Sequence, residues 1–221
     1  MTSIDMKKLA GYALIFGPII ALTSYFIQPG GVLGIGGTAD PTISEEVIKI
    51  LSENSALGII SAMTVMIGLL TIFSGYVYLS NSMEGGSGYA VAKLGIVINA
   101  FGIFGFCIGS SMGLGIASGV ITDNVVPDIL WAVSTGATMA FGLGGMLIWI
   151  GLSSRDEYNK NISLAVIVAS AVVFIAPFIA AFGPENTRLV NSITGICFFV
   201  ITLASITVSY THLRAHETLL D

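Results

Sequence analysis

The sequence predicts an all-α polytopic membrane protein, a bundle of six transmembrane helices with one short amphipathic outer-loop helix. Three observations carry the prediction. Of 221 residues, 54% are hydrophobic and only 10% are charged, whereas a soluble domain carries about 25% charged residues. The mean hydropathy is +0.92. Six apolar runs recur, each at or above the ~20 residues that a helix needs to cross the hydrocarbon. A soluble fold of this size has too much surface to cover with so few charges. The composition thus excludes a soluble enzyme, a nucleic-acid-binding domain and a disordered chain.

The spans fall at about 9–27, 57–79, 91–120, 129–152, 162–182 and 189–208, all within one transmembrane domain, 1–208. Backbone groups in lipid must bond internally, which makes helices the expected form. The period-2 alternation of a membrane barrel is absent. The first run follows Lys7 and Lys8 as a signal peptide would. It is too long for a signal h-region and no A-x-A site follows, so it is read as a retained span.

Orientation follows from the basic residues. With the N-terminus inside, Lys7, Lys8, Lys93, Arg155 and Lys160 are cytoplasmic, and only Lys49 and Arg188 are outside. Both termini are therefore expected in the cytoplasm, with the chain in the cell membrane. The outer loops carry Asp40, Glu45, Glu46, Glu53, Asp123, Asp128 and Glu185. These are dispersed, lack the alternating ligands of an EF-hand, and read as a solvated acidic face. Trp131 opens the fourth span and Trp149 nearly closes it, about 27 Å apart along a helix. With Tyr25, Tyr76, Tyr78 and Tyr89 they are expected to form the aromatic belts of the two interfaces.

The loop at 28–55 begins with Pro29, Gly30, Gly31, Gly34, Gly36 and Gly37. Helix-start signals follow: Asp40 before Pro41, or a capping box from Thr42 to Glu45. Ile43, Val47, Ile50 and Leu51 then share a face, and Glu45–Lys49 and Lys49–Glu53 are helical i,i+4 pairs. An amphipathic helix at about 41–53 is expected, lying on the bilayer or over the bundle mouth.

The middle of every span lacks Asp, Glu, Lys, Arg and His. Intramembrane charges mark proton relays and ion paths, and none is available here. Catalysis in the bilayer lacks its nucleophile–base pairs. The chain is read as non-enzymatic, with no catalytic residue, metal site or cofactor. Cys107 and Cys197 read as small buried hydrophobes without CxxC spacing.

The third span is punctuated by glycine, and Gly102, Gly105, Gly109 and Gly113 read as a helix-packing stripe that lets another backbone approach. Alternatively, the run from Gly109 to Gly115 unwinds and presents carbonyls to a substrate, as broken transporter helices do. Pro177 is expected to kink the fifth span. Asn99 and Asn191 are costly in lipid unless hydrogen-bonded. They either bond between helices or line a polar cavity with Ser110, Ser111 and Ser192.

The final stretch contains Ser209-Tyr210-Thr211-His212-Leu213-Arg214-Ala215-His216-Glu217-Thr218. This string resembles the translation of a sequencing adapter, so 209–221 is set aside as non-native. Both histidines of the chain lie in it.

Three pieces of the first half carry a resemblance: the stretch from Ala10-Gly11-Tyr12 to Gln28-Pro29-Gly30, then Leu57-Gly58-Ile59-Ile60, then Tyr76-Val77-Tyr78-Leu79. They resemble a loose group of uncharacterised six-span prokaryotic integral membrane proteins of the domain-of-unknown-function type. The resemblance implies the six-span architecture and no activity. On these grounds the expected function is a non-catalytic auxiliary or assembly component of a membrane complex. Its expected partners are the lipid bilayer and either another membrane protein or a second copy, with no nucleic acid. The alternative is a transporter or channel for a small neutral or lipophilic solute, without proton coupling.

Overall fold

The structure, a computed structural model, describes residues 6–217, without the side chains of 184 and 211–217. His212 and His216 therefore lie outside the described side chains. Seven helices follow in order: α1 (Met6–Ile27), α2 (Ser44–Glu53), α3 (Ser55–Asn81), α4 (Tyr89–Ala117), α5 (Val125–Ser153), α6 (Lys160–Phe182) and α7 (Thr187–Glu217), with a single 3-10 turn at Pro184–Asn186 before α7. All but α2 are long and apolar enough to cross a membrane, α7 over Thr187–Tyr210.

Short connections make the consecutive long helices from α3 onward antiparallel neighbours, and the segment 28–54 with α2 joins α1 to α3. The packing runs α1 to α3, α4, α5, α6 and α7, and α7 returns to α1. The six spans thus close a ring. Its tight seams are built on glycine. A Cβ added to Gly68 on α3 would sit 2.6 Å from the Ala21 nitrogen on α1, and one on Gly142 of α5 would sit 2.5 Å from the Phe174 nitrogen on α6. Lipid tails are as apolar as leucine, so burying a larger side chain gains little here. Close backbone approach gains dispersion contacts instead.

Three expectations about local structure need correction. The short amphipathic helix starts at Ser44 rather than near 41. The Asp40 carboxylate accepts from the Thr42 N–H at 2.9 Å and its hydroxyl at 2.6 Å, and Glu46 reaches back to the Asp40 N–H at 2.7 Å. That Asx turn holds 40–42 outside the helix. The third span does not unwind, because α4 is helical from 89 through 117. It ends before 120 because Gly119 takes φ +75°, with the Gly119 and Val120 N–H groups returning to Ile116 and Gly115. This is the left-handed close that glycine permits after a helix.

The aromatic belt is also partly overturned. Trp149 is 1% exposed and Tyr76 is 3% exposed, so both face the ring interior rather than lipid headgroups. With Met83, Leu152, Tyr158 and Val208 they belong to the continuous buried core of the bundle, at its end away from α2. The amphipathic tip of Tyr76 is met inside the ring by the Ser205 hydroxyl, 3.5 Å away.

Candidate functional site: a cavity inside the helix ring

The interior of the ring is not filled. A cavity of about 660 Å³ lies between the helices, within the size range of small-molecule sites. On α3 its wall runs from Gly58 to Tyr76, and on α7 from Arg188 to Ser205, about 25 Å of helix. Exposure falls along that length. Val32, Leu33, Arg188 and Asn191 are exposed at the α2 end, whereas Tyr76, Thr202 and Ser205 are buried. The cavity therefore opens at the α2 end and stops above the buried Trp149 cluster.

The rim is a folded cover. In 28–39, the N–H groups of Gly31, Gly34 and Gly37 each return to the carbonyl three residues earlier. Gly30, Gly34, Gly36 and Gly37 take positive φ, which only glycine adopts at no steric cost. Asn54 fastens the loop through its Nδ2 to the Gly36 carbonyl at 3.1 Å. The apolar face of α2 turns inward, with Val47, Ile50 and Leu51 on the cavity wall. Its polar face is tied to the start of α5. Ser44 donates to Asp128 at 2.7 Å, and Asn124 donates to Glu45 at 3.0 Å.

The wall is mostly apolar with scattered hydroxyls. Ser110, Asn191 and Ser192 line it. Ser111 does not join them: its hydroxyl donates to the Cys107 carbonyl at 2.8 Å and lies on a separate shallow groove beside Phe104 and Ile121. One helical step turns Ser111 about 100° from Ser110. Asn99 is also elsewhere. It is fully buried between α4 and α5, donating to the Phe141 carbonyl at 3.2 Å.

The glycines of α4 divide the same way. An added Cβ would meet the Phe141 nitrogen at 2.5 Å from Gly102, the Ala137 Cβ at 2.7 Å from Gly105 and the Ser134 hydroxyl at 3.1 Å from Gly109. From Gly113 it would meet nothing within 4 Å, and Gly113 lines the cavity. Pro177 and Ala180 are the contribution of α6 to the wall.

Sequence reading missed the most regular feature of the site. Asn191, Thr194, Thr202 and Ser205 line one face of α7, spaced three, eight and three residues apart, as one helical face requires. The Thr194 hydroxyl is buried and has no hydrogen-bond partner among the described residues. The spacing was visible, but hydroxyls alone do not mark a span's inner face, because they can also bond back to their own helix.

Arg188 is the only charged residue in the wall. Among the described residues its guanidinium has no hydrogen bond or ion pair. Its charge is felt by Asp40, whose carboxyl is held below the usual carboxylate range, mainly by the Thr42 hydrogen bonds. Among the described residues no cluster of His, Cys, Asp or Glu is placed to hold a metal ion. No family model matches the chain, and comparison with curated proteins and with solved structures likewise gives no match.

Proposed function

We propose that this membrane protein binds a small, largely apolar solute in the cavity of its helix ring and serves as its carrier or receptor. The observation that supports this is the 660 Å³ cavity itself, open at one end and lined by apolar side chains with a few hydroxyls. Such walls suit a lipophilic ligand oriented by few polar contacts. The basic-residue asymmetry puts the α2 end outside the cell membrane and both termini in the cytoplasm.

The assembly-component reading rested on the glycine stripe of α4. Gly102 and Gly105 face α5 of the same chain, so the stripe offers no free surface to a partner helix. The likeness to six-span proteins of unknown function adds an architecture and no activity. Binding rather than catalysis fits a wall that pairs no nucleophile with a base.

The test is native mass spectrometry of the protein released from a mild neutral detergent. The unaltered protein should carry a bound small molecule, and Gly113→Phe should lose it while melting at the same temperature. Phenylalanine at 113 projects into open space, so it fills the cavity without straining a seam. Equal retention in both proteins, or none in either, would sink the reading.

A further inference from the structure

We propose that the occupant of this cavity is an anionic amphiphile, its head group at Arg188 and its tail running toward Tyr76 and Ser205. The inference rests on the solute-binding reading and adds the ligand's class.

Charge at the α2 end is unevenly committed. Asp40 accepts from Thr42, Glu45 from Asn124, Glu46 from the Asp40 N–H, Asp123 from the Val125 N–H and Asp128 from Ser44. Asp40, Glu45, Glu46 and Asp128 are thereby engaged in holding the cover, and Asp123 in the start of α5. Among the described residues the side chains of Lys49, Glu53 and Arg188 make no hydrogen bond or ion pair; of the three only Arg188 is on the cavity wall, where its charge also reaches Asp40. Arg188 also stands in the first turn of α7, which holds no acidic residue. The positive end of the helix dipole therefore adds to its charge. Glu185 precedes that turn, lies outside the cavity wall and is near the Asn186 amide instead. A planar guanidinium binds carboxylate or phosphate oxygens in pairs.

The shape selects the tail. The cavity runs about 25 Å along α3 and α7, a length that an extended alkyl tail can follow. Below the rim the wall carries no charge, so the remainder of the ligand is uncharged. The buried Thr194 hydroxyl, without a hydrogen-bond partner among the described residues, lies about 9 Å along α7 from Arg188, in reach of a polar atom near the head or of a water beside it.

The experiment uses the full chain in neutral-lipid nanodiscs and Trp131, which lines the cavity. Quenching of its fluorescence is titrated with a brominated long-chain fatty acid, the matched brominated alcohol and the matched brominated trimethylammonium amphiphile. The fatty acid should quench at about tenfold lower concentration than the alcohol. Arg188→Gln should erase that difference, Arg188→Lys should keep part of it, and alcohol quenching should not change.

Equal quenching by acid and alcohol, or indifference to Arg188→Gln, would overturn the head-group assignment and leave solute binding standing. Quenching by no probe beyond that seen with Gly113→Phe would overturn solute binding itself. If nanodiscs containing a brominated anionic phospholipid quench as strongly, with the same dependence on Arg188, the amphiphile is a bilayer lipid; weaker quenching there assigns it to the single-chain acids.

Discussion

The Ser44 hydroxyl donates to the Asp128 carboxylate at 2.7 Å across 84 residues of sequence. This joins the first residue of α2 to the first turn of α5, where a carboxylate is also favoured by the helix dipole. Together with Asn124–Glu45 it holds the cover against the ring. Ser44→Ala combined with Asn124→Ala should speed amide exchange across 44–54. Two exposed bonds of about 0.5–1.5 kcal/mol each predict a rise of roughly tenfold, with exchange in α4 unchanged. Unaltered exchange at 44–54 would show that apolar contact alone holds the cover.

Gly102 and Gly113 lie on one helix and should answer the same substitution in opposite ways. Alanine is a better helix former than glycine by about 1 kcal/mol. At Gly113 the added methyl meets open space, so Gly113→Ala should be neutral or slightly stabilising. At Gly102 it lands 2.5 Å from the Phe141 nitrogen, and overpacking costs about 1–3 kcal/mol. Thermal melts in detergent should separate the two variants clearly. Similar melting temperatures would mean that the α4–α5 seam yields easily.

Asn99 bonds across the same seam to the Phe141 carbonyl at 3.2 Å. Asn99→Ala should cost about 0.6–2 kcal/mol, the usual worth of such bonds within a membrane. Asn99→Asp should be worse at neutral pH, since an ionised carboxylate has no proton for that carbonyl and is costly to bury. Burial raises the acid's folded-state pKa, so the variant's stability should recover as pH falls toward about 4, the ordinary aspartate value. A melting temperature flat with pH would contradict the assigned burial.

The Asx turn at Asp40 carries its own pH dependence. Its carboxyl is held low, first by the Thr42 side-chain bond, then by the Thr42 backbone bond, with Arg188 contributing. A depressed carboxyl lends stability above its unfolded pKa and loses it as pH falls through the folded value. Amide exchange at 40–46 should therefore be steady between pH 7 and 5, allowing for the intrinsic rate. It should rise only below the usual carboxylate range, and Asp40→Asn should remove that rise.

The six spans were legible because length and composition alone determine whether a segment can cross a membrane, and the short helix because its apolar residues share one face. The cavity was not. Lipid outside and core inside are both apolar, so a span's inner face carries little hydropathy contrast. Trp149 illustrates the difficulty: its spacing from Trp131 fitted an interfacial pair, and only the ring places it in the core. Ser110 and Ser111 illustrate it again, since adjacent hydroxyls fall on different faces and nothing local says which face is inward. The glycines of α4 could be seen as a stripe, but not that Gly113 alone would be left open. The faces of the short helix α2 were the easiest to assign, because water on one side gives them different chemistry.

The ring closes through α1 and α7, the two spans farthest apart in the sequence. Every other seam joins helices that follow one another during synthesis, so each can form as its second member enters the bilayer. The α1–α7 seam must wait for the whole set. Until then the nascent protein is an open trough, with the wall opposite α7 exposed to lipid tails. The interior should therefore appear abruptly when α7 enters the bilayer, and any chain stopped before Thr187 would remain a groove that bilayer lipid fills, inserted but without an interior.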